Sequence, residues 1–162
     1  MIQSLRTNDC IDDIIEDYAD MVYRLAASYT GSKVDADDVF QEVFIRLVKK
    51  KPKFVDEEHR KAWLLRVTIN CSKKLIGSSW KRKTVEYDES INNSMIFEMQ
   101  EDSELFYTIQ KLPAKYRVVI HLFYYEDMST KDIATTLNQF ETTIRSQLSR
   151  ARKKLKSLLE EE

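Results

Sequence analysis

Glycine and proline, two of each among 162 residues, are too scarce in this chain to supply the tight turns that a sheet of several strands requires. Leu, Ile, Lys, Glu and Asp abound instead, so the chain is predicted to be all α-helical. At this length the helices could form one domain or two small ones, each of marginal core size. A division therefore has to be argued from local features.

Periodicity supplies the helices. Residues 11–30 place Ile11, Ile14, Ile15, Tyr18, Val22, Leu25 and Ala26 on one face at helical spacing, and Gly31-Ser32 ends the run. A second helix is expected from about Asp35 to about Lys50, with acids in its first turn, lysines in its last, and Pro52 beyond it. A third runs from about Glu58 to about Ser79, carrying Leu64, Val67, Cys71 and Leu75 along one side. Four more are expected near 102–111, 113–125, 129–137 and 142–159, with Pro113 in a first-turn position.

Overall charge is balanced, 26 cations against 27 anions, yet the charges segregate along the chain. Residues 59–83 hold eight Lys or Arg and no acid, residues 84–104 hold seven acids and no cation, and residues 142–158 hold six cations and no acid. The acidic stretch has no clean period and reads as a mostly extended linker between two domains. It divides the chain into domains at 1–83 and 102–162, joined by 84–101. Cys10 and Cys71 are too few and too distant in sequence for a disulfide framework or a metal cage. With no apolar run long enough to span a membrane and no signal-peptide core, a cytoplasmic protein that is not integral to a membrane is expected.

In the C-terminal part, Ser129 is placed to cap a short helix, STKDIATTL, with Asp132 approximating a capping box. A turn, NQFE, leads into TTIRSQLSRARKKLKSLL, the layout of a helix-turn-helix. At about 100° per residue, Ile144, Leu148, Ala151, Leu155 and Leu158 share one face, while Arg145, Ser146, Ser149 and Arg150 share the opposite one. Arg and Ser suit base edges in the major groove, and Arg152, Lys153, Lys154 and Lys156 suit phosphates or water. A merely solvated basic face is the alternative.

The acid-free stretch carries a second constellation. Lys73, Arg66, Asn70, Trp63 and Lys74 fall within an arc of roughly 100° on the third helix, with apolar stripes on both sides. Cations attract phosphates, Asn bonds a base edge, and an aromatic ring stacks on unpaired bases. Trp63 fits a packed position equally well, and Asn70 fits a local backbone contact equally well. On the second helix, Val39, Phe40, Val43, Phe44 and Leu47 form the buried stripe, leaving Asp38, Gln41, Glu42 and the apolar Ile45 together on another face. That face reads as a protein-docking surface or as an ordinary charged one.

DADDVFQEVFIRL, KAWLLRVTIN, LPAKYRVVIHLFYYEDMSTKDIATTL and RSQLSRARKKL occur in the order found in extracytoplasmic-function sigma factors of the sigma-70 family, which the chain resembles over nearly its whole length. The resemblance implies two helical domains, region 2 and region 4, that join bacterial RNA polymerase core and direct it to promoters. It implies that Asp38, Gln41, Glu42 and Ile45 dock on the polymerase beta-prime clamp, and that Phe54, Trp63, Arg66, Asn70, Lys73 and Lys74 recognise and melt the minus-ten element. It implies likewise that Thr143, Arg145, Ser146, Ser149, Arg150 and Lys153 read the minus-thirty-five element, in a domain that also meets the beta flap. An anti-sigma factor, in some cases at the membrane, is a further implied partner.

Two departures stand out. The turn NQFETT lacks the Pro and Gly frequent in that family, and KKLIGSSWKRK replaces a denser arginine cluster, leaving Trp80 and phosphate contacts by Lys81, Arg82 and Lys83 unassigned. A duplex-binding regulator or an RNA-binding adaptor is the competing class. An enzyme is not expected, because His59 and His121 lie in unrelated contexts and no Gly-rich phosphate loop or metal-ligand cluster occurs. No cofactor is expected, and His121 is predicted to be packed.

Overall fold

The computed structural model describes residues 10–79 and 103–161. The acidic linker 84–101, Trp80 and the cations at 81–83 lie outside the described residues. Among those described there are seven α-helices and no strand, in keeping with the all-helical expectation: α1 (Ile11–Thr30), α2 (Lys33–Lys50), α3 (Glu57–Ser79), α4 (Ser103–Gln110), α5 (Ala114–Ile120), α6 (Thr130–Leu137) and α7 (Glu141–Glu160).

Local chemistry sets the helix ends. Gly31 closes α1 in the left-handed conformation (φ 68°), which costs a residue without Cβ least, and donates its N–H to Ala27 O at 2.8 Å. Ser32 then caps α2, its hydroxyl accepting from Asp35 N at 3.3 Å, so that helix begins two residues earlier than its acids suggest. Lys51 ends it, also left-handed, and Pro52 prevents continuation. Asp56 starts α3 by accepting from His59 N at 2.8 Å.

The helix expected over 113–125 is regular only to Ile120 and continues as a π-helical turn, His121–Tyr125, closed by Glu126 N donating to His121 O at 3.2 Å. His121 is buried there, stacked on Tyr125 with ring centroids 5.4 Å apart.

α1, α2 and α3 pack as a three-helix unit around Val22, Leu25, Val39, Val43, Leu47 and Leu64. α5, α6 and α7 pack around Val119, Leu122, Ile133, Ile144, Leu148 and Ala151. Each fully buried Leu or Ile contributes about 1.5–3 kcal/mol through apolar area removed from water. The two units are not separate: α1 packs on α5 and α3 on α6, and one contiguous hydrophobic cluster runs through both.

This corrects the reading of α3 as a helix with two apolar stripes. Thr68 and Ser72, which lie between the stripes, are both 0% exposed, so the helix is buried around half its circumference. Thr68 tolerates this because its hydroxyl donates to Leu64 O at 2.6 Å within its own helix.

Cys10 is exposed and Cys71 is buried on α3, both as free thiols. Burial raises the Cys71 thiol above its ordinary range, only partly opposed by the Arg46 cation, so the reactive thiolate is depleted near neutral pH. Iodoacetamide at neutral pH is therefore expected to modify Cys10 quickly and Cys71 only after denaturant is added, as read by mass spectrometry. Equal rates at both thiols would mean that α3 is not held as described.

Candidate nucleic-acid and protein-docking surfaces

The exposed remainder of α3 coincides with the polar arc read from the sequence. Arg66, Asn70, Lys73 and Lys74 are exposed and Trp63 is partly so. Phe54 is not on this surface: it is 3% exposed and packs edge-on against the Trp63 ring, centroids 5.8 Å apart. The expected minus-ten contact residue Phe54 is therefore buried in this structure, where the loop after Pro52 folds its ring against Trp63.

The base beneath Trp63 is charged as well as apolar. Arg60, one of the eight cations of the acid-free stretch, is 4% exposed, lies over the Phe54 ring at 5.7 Å and pairs with Glu57 at 3.0 Å. Tyr18 of α1 donates its hydroxyl to the same Glu57 carboxylate. Burial, followed by that bond to Glu57, pushes the Tyr18 hydroxyl well above its ordinary pKa. Phe54, itself under Arg60, thus packs against one side of Trp63, which stays partly exposed.

On α7 the expected two faces are present. Ile144, Leu148 and Ala151 are buried, whereas Thr143, Arg145, Ser146, Ser149, Arg150 and Lys153 are exposed. The turn without Pro or Gly is built from other parts. Asn138 takes the left-handed position (φ 55°) that ends α6, and Ser129 caps the start of that helix by accepting from Asp132 N at 3.1 Å. Glu141, the first residue of α7, then accepts from Thr130 Oγ1 at 2.9 Å and from Arg145 at 2.9 Å, which ties the two helices together across the turn.

Sequence reasoning missed part of this surface. Lys115 and Tyr116 of α5 line a polar groove of about 300 Å³ with Thr142, Ser146, Gln147 and Arg150. They lie some thirty residues upstream, so no spacing rule connects them with α7. Arg152 is exposed, as expected, and has partners of its own. It bonds the Tyr124 hydroxyl at 2.7 Å and lies over the Phe123 and Tyr124 rings, which the π-helical turn brings to it.

On α2, Asp38, Gln41 and Glu42 are exposed and Ile45 is 44% exposed. Val48, three residues beyond Ile45 and on the same face, extends the apolar surface, which with Ile15, Phe40 and Phe44 forms a shallow groove of about 420 Å³. The i, i+3 spacing from Ile45 was the signal for it. Glu42 also pairs with Arg46 at 3.0 Å, and both line a second groove with Lys74 of α3, so the docking face and the cationic arc adjoin. No cluster of metal-ligating side chains and no helix long and apolar enough to cross a membrane occurs among the described residues.

Comparison with known proteins places these surfaces in a family context. Residues 14–82 match the family described as Sigma-70 region 2, and residues 103–155 match Sigma-70, region 4. The chain is 29% identical over 154 residues to the ECF RNA polymerase sigma factor SigM of Bacillus subtilis, covering 91% of this chain and 94% of that one. It is 28% identical over 157 residues to the ECF sigma factor SigE of Mycolicibacterium smegmatis, where it spans 61% of the relative's length and 91% of its own. Among solved structures it resembles the sigma factor RpoE in complex with the anti-sigma factor NepR from Bartonella quintana, with a TM-score of 0.70 and 19% identity over 92% of this chain and 96% of that one. It also resembles CnrH in complex with the cytosolic domain of CnrY, with a TM-score of 0.68 and 20% identity over 99% and 97%.

If Phe54 is the support of Trp63, Phe54→Ala is expected to cost about 3–5 kcal/mol of stability. It should also shift Trp63 emission to longer wavelength in a Trp80→Phe background. Unchanged denaturation and emission would remove Phe54 from that role.

Proposed function

We propose, from the premise that this chain belongs to the sigma-70 family of bacterial RNA polymerase subunits and to its extracytoplasmic-function group, that it binds polymerase core, recognises the minus-thirty-five and minus-ten promoter elements directly and helps to melt the promoter DNA. Promoter-specific initiation of transcription is the role of the family. The finer assignment of residues rests on the surfaces described above.

The observation that carries the reading is the coexistence of two different nucleic-acid surfaces in one chain. The α7 face presents Arg and Ser side chains from a helix-turn-helix, the equipment for base edges in an intact major groove. The α3 arc presents Trp63, Asn70 and three cations, Arg66, Lys73 and Lys74, the equipment for an unpaired strand. Thr143, Arg145, Ser146, Ser149, Arg150 and Lys153 read the minus-thirty-five element, joined by Lys115 and Tyr116 at the edge of the groove. Trp63, Arg66, Asn70, Lys73 and Lys74 hold the minus-ten strand.

Energetics permit melting by this route. Extruding a base costs a few kcal/mol, and stacking on an aromatic side chain returns about 1–3 kcal/mol per base. Polymerase contributes the remainder by gripping the protein. Asp38, Gln41, Glu42 and Ile45, extended by Val48, form the docking face for the beta-prime clamp, where acids steer and the apolar groove anchors. The C-terminal unit adds an apolar cavity of about 580 Å³, lined by Leu105, Ile109, Ile120, Tyr124 and Leu155, on the domain that meets the beta flap.

The protein acts in the cytoplasm as a regulatory subunit and not as an enzyme. An anti-sigma factor is a further partner, in line with the two solved relatives, each determined with one bound or with a cytosolic partner domain.

The test is transcription in vitro with purified core polymerase and a fragmented genomic library. New start sites that depend on this protein are expected, and none beyond those of core alone would overturn the assignment. On a responsive promoter, Asn70→Ala should reduce opening of duplex templates more than of pre-melted ones, whereas equal losses would deny it a melting role. Arg150→Ala should lose about 1–3 kcal/mol and relax preference at one upstream position. Uniform weakening on every sequence would make it a phosphate contact.

A further inference from the structure

The residue that opens the reader helix is not one that folding would choose. The position just before a helix prefers Ser, Thr, Asp or Asn, whose side-chain oxygen accepts from a free N–H of the first turn. α2 and α6 follow this preference with Ser32 and Ser129. α7 has Phe140 in that position, which makes no side-chain capping bond. Its ring is not used for packing either. Phe140 is 81% exposed, the most of any large apolar residue among those described. The fold gains neither a cap nor a core contact from this side chain, and a phenyl ring left in water is unfavourable.

Location narrows what the ring can meet. Phe140 immediately precedes the first turn of α7, where Thr142 and Thr143 are exposed and line the polar groove with Lys115, Ser146 and Arg150. Along the helix axis it lies about 7.5 Å from Arg145, or about two base-pair steps. A phosphate is a poor occupant, because residues 138–144, NQFETTI, hold one acid, Glu141, and no cation. Stacking on a base is equally unsuited, since in an intact duplex the faces of the bases are covered and only their edges line the groove. Among those edges one feature is apolar, the C5-methyl group of thymine.

We infer that Phe140 is a specificity-determining residue of the α7 reader, which packs its ring against the methyl group of one thymine in the upstream promoter element. The inference rests on the sigma-factor reading and deepens it. Arg145, Ser146, Ser149 and Arg150 supply hydrogen bonds to base edges, and Phe140 supplies an apolar contact that they cannot make. The contact discriminates because the other three bases present no methyl group in the groove. Withdrawing one methyl group from water corresponds to about fourfold in affinity.

Deoxyuridine differs from thymidine only in lacking that methyl group, so it isolates the contact. Holoenzyme assembled from core polymerase and the full chain is measured for binding to, and initiation from, a responsive promoter in which each thymine of the upstream element, on either strand, is replaced singly. The unmutated protein is expected to lose about fourfold at one thymine. Phe140→Asn should bind the thymine template about fourfold more weakly and show no further loss on the deoxyuridine template. Equal sensitivity of both proteins to every replacement would overturn the assignment and place Phe140 against the DNA backbone or against polymerase. An upstream element in which no thymine matters would overturn it too.

Asparagine separates recognition from folding. It supplies the missing cap, so Phe140→Asn is expected to melt at the same temperature as the unmutated chain or higher. A clearly lower melting temperature would show that the ring serves the fold and remove the reason for assigning it to DNA. If the unmutated chain directs no initiation with core, the sigma-factor reading fails and this assignment fails with it. If initiation occurs and the methyl group has no effect, the assignment of Phe140 alone is lost.

Discussion

Burial of α3 on half of its circumference is the constraint on which the rest of the molecule depends. The helix packs against α1, α2 and α6, and the narrow arc left in water carries three of its five cations, Arg66, Lys73 and Lys74. A half-buried helix can carry Lys and Arg only where the ammonium and guanidinium groups reach solvent, since an unpaired buried charge is costly. Arg60 shows the exception and its terms: it enters the interior with Glu57 as partner and the Phe54 ring beneath it. The cationic surface is therefore a strip along one side of the helix, and Trp63 lies on it partly exposed, with one edge packed against Phe54.

The same economy of parts governs the C-terminal reader. A recognition helix must leave the preceding helix at a fixed angle, and here Asn138, Ser129 and the Thr130–Glu141 hydrogen bond set that angle. Glu141 has two partners, because it also holds Arg145. The acid at the start of α7 thus complements the helix dipole, fixes the turn and orients one of the exposed donors of that helix. The π-helical turn after α5 acts similarly on the opposite side, where it brings Phe123 and Tyr124 against the exposed Arg152.

Much of this was legible in one sequence. Helical period, the Ser129 cap, the division of α7 into an apolar and a donor face, the cationic arc of α3 and the exposed apolar Ile45 follow from spacing alone, and spacing is preserved when the chain coils. The burial of His121 was legible for the same reason. Phe54 was not: an aromatic residue in a loop has no period, and only the path of the chain from Pro52 to Asp56 determines whether its ring turns inward. Lys115 and Tyr116 joined the reader groove by the approach of α5 to α7, which no local pattern records.

What the sequence by itself determined, then, is what each helix is and which of its sides can face water, because those depend on neighbours three or four residues away. Tertiary structure alone decided which surfaces meet. Thr68 and Ser72 are polar residues that a hydropathy pattern assigns to solvent, yet the packing of α3 among its neighbours buries them, and Thr68 satisfies its hydroxyl within its own turn. Arg117 donates to two carbonyls at the end of α1, partners that its own helix gives no sign of. The physical reason is common to both: hydrogen-bond partners and excluded water are properties of the assembled surface, and residues 89 positions apart in the chain have no means of announcing that they will share one.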